Sequence, residues 1–249
     1  MSEVQMNYMN EEVVSKQPGF LKRILWTVTS PGKLMENLAQ RPRVLFGLIL
    51  SALSLDVLYL ARLPLYKDFL RNTTLASSEY MESLTGQAMT AEMIEESLPT
   101  AMASGLISTP FAAIVGMLFI TTIFFAIFKI MGGQGKFKAY LSVTAYSGVI
   151  SALYMLLILI VSFFTGSLHL DVPLTSLATL ASSDMAGTFL YGILKGLEIF
   201  SIWNYAVMAI GFTAVSKLKS KHVYIVVAAI FLIGLVIAGF GEAALSAFM

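Results

Sequence analysis

The stretch LISTPFAAIVGMLFITTIFFAIFKIM, residues 106–131, decides what kind of protein this is. From Leu106 to Phe128 it carries no ionisable side chain, and its one charge, Lys129, stands at its end. An α-helix needs about 20 mainly apolar residues to cross a bilayer, and this run is long enough. Four others match it: residues 44–63, 143–166, 186–215 and 223–249. The apolar residues are continuous rather than alternating, which argues against a membrane β-barrel. Composition agrees. Hydrophobic residues are 57% and charged residues 12% of the 249, against about 45–50% and about 25% in a soluble domain. The expected fold is all-α, a polytopic membrane protein with five transmembrane helices.

Net charge is +1, so no global basic field points to nucleic acid as a partner. The local distribution carries more. Lys and Arg in short connections set orientation. Lys16, Lys22, Arg23, Lys33, Arg41 and Arg43 precede the first span. Lys129, Lys136 and Lys138 flank the second connection, and Lys217, Lys219 and Lys221 occupy the fourth. Residues 64–105 set Lys67 and Arg71 against Asp68, Glu79, Glu82, Glu92, Glu95 and Glu96. The third connection has Asp171 and Asp184 and no basic residue. Basic and acidic connections alternate, which predicts a cytoplasmic N-terminus, an extracytoplasmic C-terminus and a multi-pass protein of the plasma membrane.

Outside the spans, residues 1–19 read as a polar N-terminal tail without the apolar core of a signal peptide. Residues 20–42 read as amphipathic cytoplasmic helices. Phe20, Leu21, Ile24, Leu25 and Val28 recur at helical spacing beside Lys22 and Arg23, and Ser30-Pro31 has the form of a new helix start. Leu34, Met35 and Leu38 stripe the second helix. Such helices lie on a membrane surface or pack on the ends of the bundle. Residues 43–249 form the transmembrane domain, including an extracytoplasmic helical cap at 64–105. In that cap Tyr80, Met81 and Leu84 predict one helix. Met93, Ile94 and Leu98 predict a second, with Glu92 in its first turn and Pro99 ending it.

Ionisable groups inside spans are costly and mark candidate sites. Asp56, Lys195, Glu198 and Glu242 form the candidate intramembrane polar cluster, with Arg62 near the outer end of the first span. Straight helices rising 1.5 Å per residue put Asp56 roughly 18 Å and Arg62 roughly 27 Å from the cytoplasmic end. The same arithmetic gives about 25 Å for Glu198, about 30 Å for Lys195 and about 28 Å for Glu242. Lys195 and Glu198 are three apart, so they share a helical face. The cluster serves either as a structural network with each charge offset by a partner or as a polar path open to the outside. Gly192 and Gly196 form a GxxxG pair, and Gly234 with Ala238 and Gly239 with Ala243 offer similar small faces for helix packing. Trp203 falls mid-bilayer, away from the interfacial belt, and is expected inside the bundle.

Enzyme chemistry finds little to work with. Cysteine is absent, which removes disulfides and thiolates. His169 and His222 fall in connections on opposite sides, so they share no metal and no triad. No Walker loop is present, and Gly132-Gly133-Gln134-Gly135 reads as a helix stop and turn. No catalytic residue, cofactor or metal is expected.

Three segments together resemble the bacterial Yip-domain membrane proteins. They are SPGKLMENLAQRP at residues 30–42, the loop Gly132-Gly133 to Phe137 followed by Ser142-Val143 and Tyr146, and Glu198-Ile199-Phe200-Ser201-Ile202-Trp203 with Gly211 downstream. The resemblance runs from Ser30 to about Leu245. Two features depart from the family pattern: Glu198, where Asp is frequent, and Ser147-Gly148-Val149, where a proline often follows the tyrosine. The resemblance implies a five-helix integral membrane protein without catalysis. In size and layout the chain is similar to the small Yip-domain subunit that accompanies MacAB-type ABC exporters in bacilli. It implies an accessory protein whose partners are the lipid bilayer and a second membrane complex such as ABC exporter subunits. The alternatives are a permease using the polar cluster, and a lipid-binding or membrane-shaping protein acting through residues 20–42.

Overall fold

The computed structural model describes residues 18–247; residues 1–17 of the expected polar tail lie outside them. Two short helices come first, α1 (Phe20–Thr29) and α2 (Pro31–Gln40), then α3 (Leu45–Ala61) and α4 (Leu63–Thr85). The chain continues with α5 (Ala91–Ile130), α6 (Phe137–Ser147) and α7 (Val149–Thr165). Two 3-10 turns lead to α8 (Phe189–Gly196), α9 (Ile199–Ser216) and α10 (Ser220–Ala247). Among the described residues there is no strand, only an isolated antiparallel bridge between Ser176 and Glu198. Four helical segments are long and apolar enough to cross a bilayer: α5, α6–α7 taken together, α9 and α10. A fifth arises from α3, which is bent by 96° onto α4.

Two expectations change, at Pro99 and in the fourth span. Pro99 does not end a helix. Thr90 caps α5 by accepting from the Met93 N–H at 3.2 Å, and the helix then runs 40 residues through both Pro99 and Pro110. A proline inside a helix costs about 3 kcal/mol. Here Ile94 and Leu98 are buried against α4, and packing outweighs propensity. The cap is therefore a hairpin of α4 and the first turns of α5, clasped by Lys67 and Arg71 on Glu95 at 3.2 and 2.5 Å. The third span is kinked only mildly: α6 passes into α7 at Gly148, and the pair still reads as one 29-residue span. Gly148 is needed for contact, since a Cβ there would come within 2.6 Å of the Ser51 Oγ on α3. The fourth span is not one helix. It breaks at Leu197–Glu198 into α8 and α9.

The main core lies toward the basic end. Leu34, Met35 and Leu38 of α2 are fully buried there with Phe124, Phe128, Tyr140, Tyr146 and Phe212. Of the two fates open to residues 20–42, α2 takes packing on the bundle. In contrast, α1 keeps Phe20, Leu21 and Leu25 exposed, as a helix on a lipid surface would. A second, smaller core of Leu58, Tyr59, Tyr66, Ile158 and Leu168 lies toward the acidic end.

Candidate functional site

The four intramembrane ionisable residues do not form one cluster: Lys195 and Glu242 pair with each other, while Glu198 and Asp56 each stand apart. Glu198 sits at the break between α8 and α9 and caps α9. Its Oε1 accepts from the Phe200 N–H at 2.8 Å and its Oε2 from the Ser201 N–H at 2.7 Å. The Thr175 hydroxyl also donates to Oε1. Thr175 comes from the third connection, which reaches in to satisfy the break. The Leu177 N–H donates to the Leu197 carbonyl at 3.1 Å and the Ile199 N–H to the Thr175 carbonyl at 3.4 Å. Non-helical backbone at membrane depth needs such partners. The Glu198 carboxylate is only 5% exposed, and both its oxygens are engaged.

Lys195 consequently does not share a helical face with Glu198, because the helix between them is interrupted. Its Nζ instead meets Glu242 Oε2 on α10 at 3.0 Å. Close backbone approach makes this possible. A Cβ on Gly192 would lie 2.6 Å from the Ala238 carbonyl oxygen and 2.8 Å from the Gly239 Cα. Gly196 faces Leu235 equally tightly, and Gly239 faces Phe189. Gly234, by contrast, has open space around it. Helix α9 alone rises about 27 Å, which nearly fills the hydrocarbon. The break, α8 and the Lys195–Glu242 pair therefore fall at its acidic-end margin, in line with the depths of about 25–30 Å that rise per residue gives them. Trp203 is half-buried, 6.1 Å from Phe200.

Asp56 is different. It lies about 17 Å from the start of α3, is 7% exposed, and its Oδ1 has no hydrogen-bond partner. The sharp turn from α3 into α4 brings Tyr66 onto Tyr59, stacked with ring centroids 4.0 Å apart. Arg62, at the corner itself, donates to the Ser162 carbonyl at 2.8 Å and lies over the Phe163 ring. The two tyrosines carry no sequence signal of proximity, because their meeting depends on a 96° turn.

At the basic end, the Gly132-Gly133 loop closes α5 with the Gly133 N–H on the Phe128 carbonyl at 2.7 Å and the Gly132 N–H on Lys129 at 3.0 Å. This paired C-terminal motif needs positive φ at its first residue, and Gly132 has φ 85°. The Gln134 N–H then donates to the Ser216 carbonyl at 2.7 Å, tying the loop to the end of α9. Phe137 sets its ring edge-on to Phe125 at 5.5 Å. The loop is a clamp between two helix ends. Among the described residues no three His, Asp or Glu side chains converge as metal ligands would.

A model of the Yip1 domain matches residues 26–241. The Membrane protein YknW of Bacillus subtilis (strain 168) is 29% identical over 211 residues, covering 84% of this chain and 84% of that protein. No solved structure matches.

Proposed function

The chain belongs to the Yip1-domain family of membrane proteins, and from that premise we propose that it is a non-enzymatic accessory protein of the bacterial plasma membrane that docks on another membrane complex. The partner class is an ABC exporter. The basic connections lie in the cytoplasm and the acidic hairpin outside. The observation that carries this reading is the α4–α5 hairpin. Helix α5 rises about 60 Å, twice the hydrocarbon thickness, so its first turns stand clear of the bilayer with α4. That hairpin exposes Met81, Leu84 and Met93 among the exposed carboxylates Glu79, Glu82 and Glu96, a mixture suited to holding a protein partner. Resemblance to the Yip-domain subunits that accompany MacAB-type exporters supports the partner class.

Purification of the full chain in mild detergent, followed by mass spectrometry, tests the proposal. Stoichiometric exporter subunits are expected, and Leu84→Glu with Met81→Glu should remove them without changing the melting temperature. Recovery of a lone homo-oligomer would overturn it. A second reading, a permease, is favoured by one observation, the unpartnered oxygen of Asp56. Under that reading Asp56→Asn folds normally and abolishes function.

A further inference from the structure

At the basic end lies a cavity of about 780 Å³ between α1, α3 and α6. Three cations line it: Arg23, Arg43 and Lys138. No carboxylate does, among the described residues. Arg43 and Lys138 are exposed. Arg23 is only 4% exposed, and its Nε and Nη2 have no hydrogen-bond partner among the described residues. A buried guanidinium left unpaired is strongly destabilising, so this one lacks its counter-ion. The Tyr146 hydroxyl, also lining the cavity, is likewise buried without a partner.

The backbone argues the same way. Helices α1, α3 and α6 all begin at this cavity, and none has an acidic residue in its first turn. Arg23 and Lys138 stand in two of those first turns. Helix N-termini carry partial positive charge and favour anions. Cations placed there are repelled unless an anion sits between them.

A second cavity fixes what kind of anion. An apolar groove of about 440 Å³ runs between α3 and α7. It begins at Ile24, next in sequence to Arg23, and at Ile49, which lines both cavities. It continues past Leu53 and Leu156 to Leu159. From Val149 to Leu159 the α7 wall rises about 15 Å, the depth of one leaflet of a hydrocarbon core about 30 Å thick. A free phosphate would have no use for it.

We propose that this chain binds an anionic glycerophospholipid, its phosphate held by Arg23, Arg43, Lys138 and the Tyr146 hydroxyl and one acyl chain lying in the α3–α7 groove. The site depends on membrane embedding and not on any protein partner. The full chain, stripped of lipid in detergent, is melted with added phosphatidylglycerol, phosphatidylcholine or inorganic phosphate. Phosphatidylglycerol should raise the melting temperature, and the other two should not. Arg43→Gln and Lys138→Gln, at exposed positions that leave folding intact, should each weaken apparent affinity about tenfold, the worth of a hydrogen bond to a charged group. Arg23→Gln should abolish the shift. Ala152→Phe, which fills the groove, should weaken long-chain phosphatidylglycerol and spare the dihexanoyl form. Equal shifts with phosphatidylcholine, or full shifts in the Arg43→Gln, Lys138→Gln double variant, would overturn the site. A shift with inorganic phosphate alone would overturn the lipid as its occupant.

Discussion

Lys195 and Glu198 are three residues apart, yet their side chains answer to different partners. Lys195→Met leaves Glu242 without its cation and should cost about 1–2 kcal/mol, between the exposed and buried limits for an ion pair. Adding Glu242→Gln should recover part of that loss, whereas adding Glu198→Gln should recover none. A double-mutant cycle read by thermal unfolding in detergent separates the two. Glu198→Ala removes an N-cap and should destabilise by about 0.5–2 kcal/mol, toward the upper end because the Thr175 hydroxyl loses its acceptor. Sequence spacing identified all four ionisable residues but not their pairing. The i, i+3 rule assumes an unbroken helix, and the groups this break frees are satisfied by Thr175, more than twenty residues upstream in a loop with no periodic signal.

At the scale of elements, the small-residue faces were legible and their consequence is measurable. Gly192→Ala would drive a methyl into the backbone of α10. Overpacking of this kind costs about 1–3 kcal/mol, so the α8–α10 contact should loosen, and hydrogen exchange across α8 should report it. Orientation is tested by single cysteines at exposed positions in a chain that has none of its own. An impermeant maleimide should label Gln87→Cys and Ser183→Cys in intact cells and leave Gln134→Cys unlabelled until the membrane is opened. Hydropathy located the four long apolar helices and the bent α3–α4 pair that makes a fifth candidate, because burial in lipid is written in composition. It misjudged Pro99, since the packing that holds α5 straight comes from α4 and is invisible in the local sequence. It also could not see how differently α1 and α2 dock, because both carry the same amphipathic pattern: α2 buries its whole apolar stripe, whereas α1 packs Ile24 and Trp26 and leaves Phe20, Leu21 and Leu25 exposed.

For the molecule as a whole, the two cores divide the labour. The aromatic core at the basic end fixes α2, α5, α6 and α9 together, and the smaller one ties the α3–α4 corner to α7. Helix α5 joins both regions as a single unbroken element. A proline inside a helix removes a backbone hydrogen bond and is where helices bend, so Pro99 and Pro110 are the points at which α5 can yield, and between them it moves as a lever. If its membrane-embedded half tilts by about 10°, the outer half, about 30 Å long, swings its tip by about 5 Å. A tilt set at the Gly132-Gly133 clamp reaches the hairpin at the far end only while Pro110 and Pro99 stay straight, and a bend at either would stop it short.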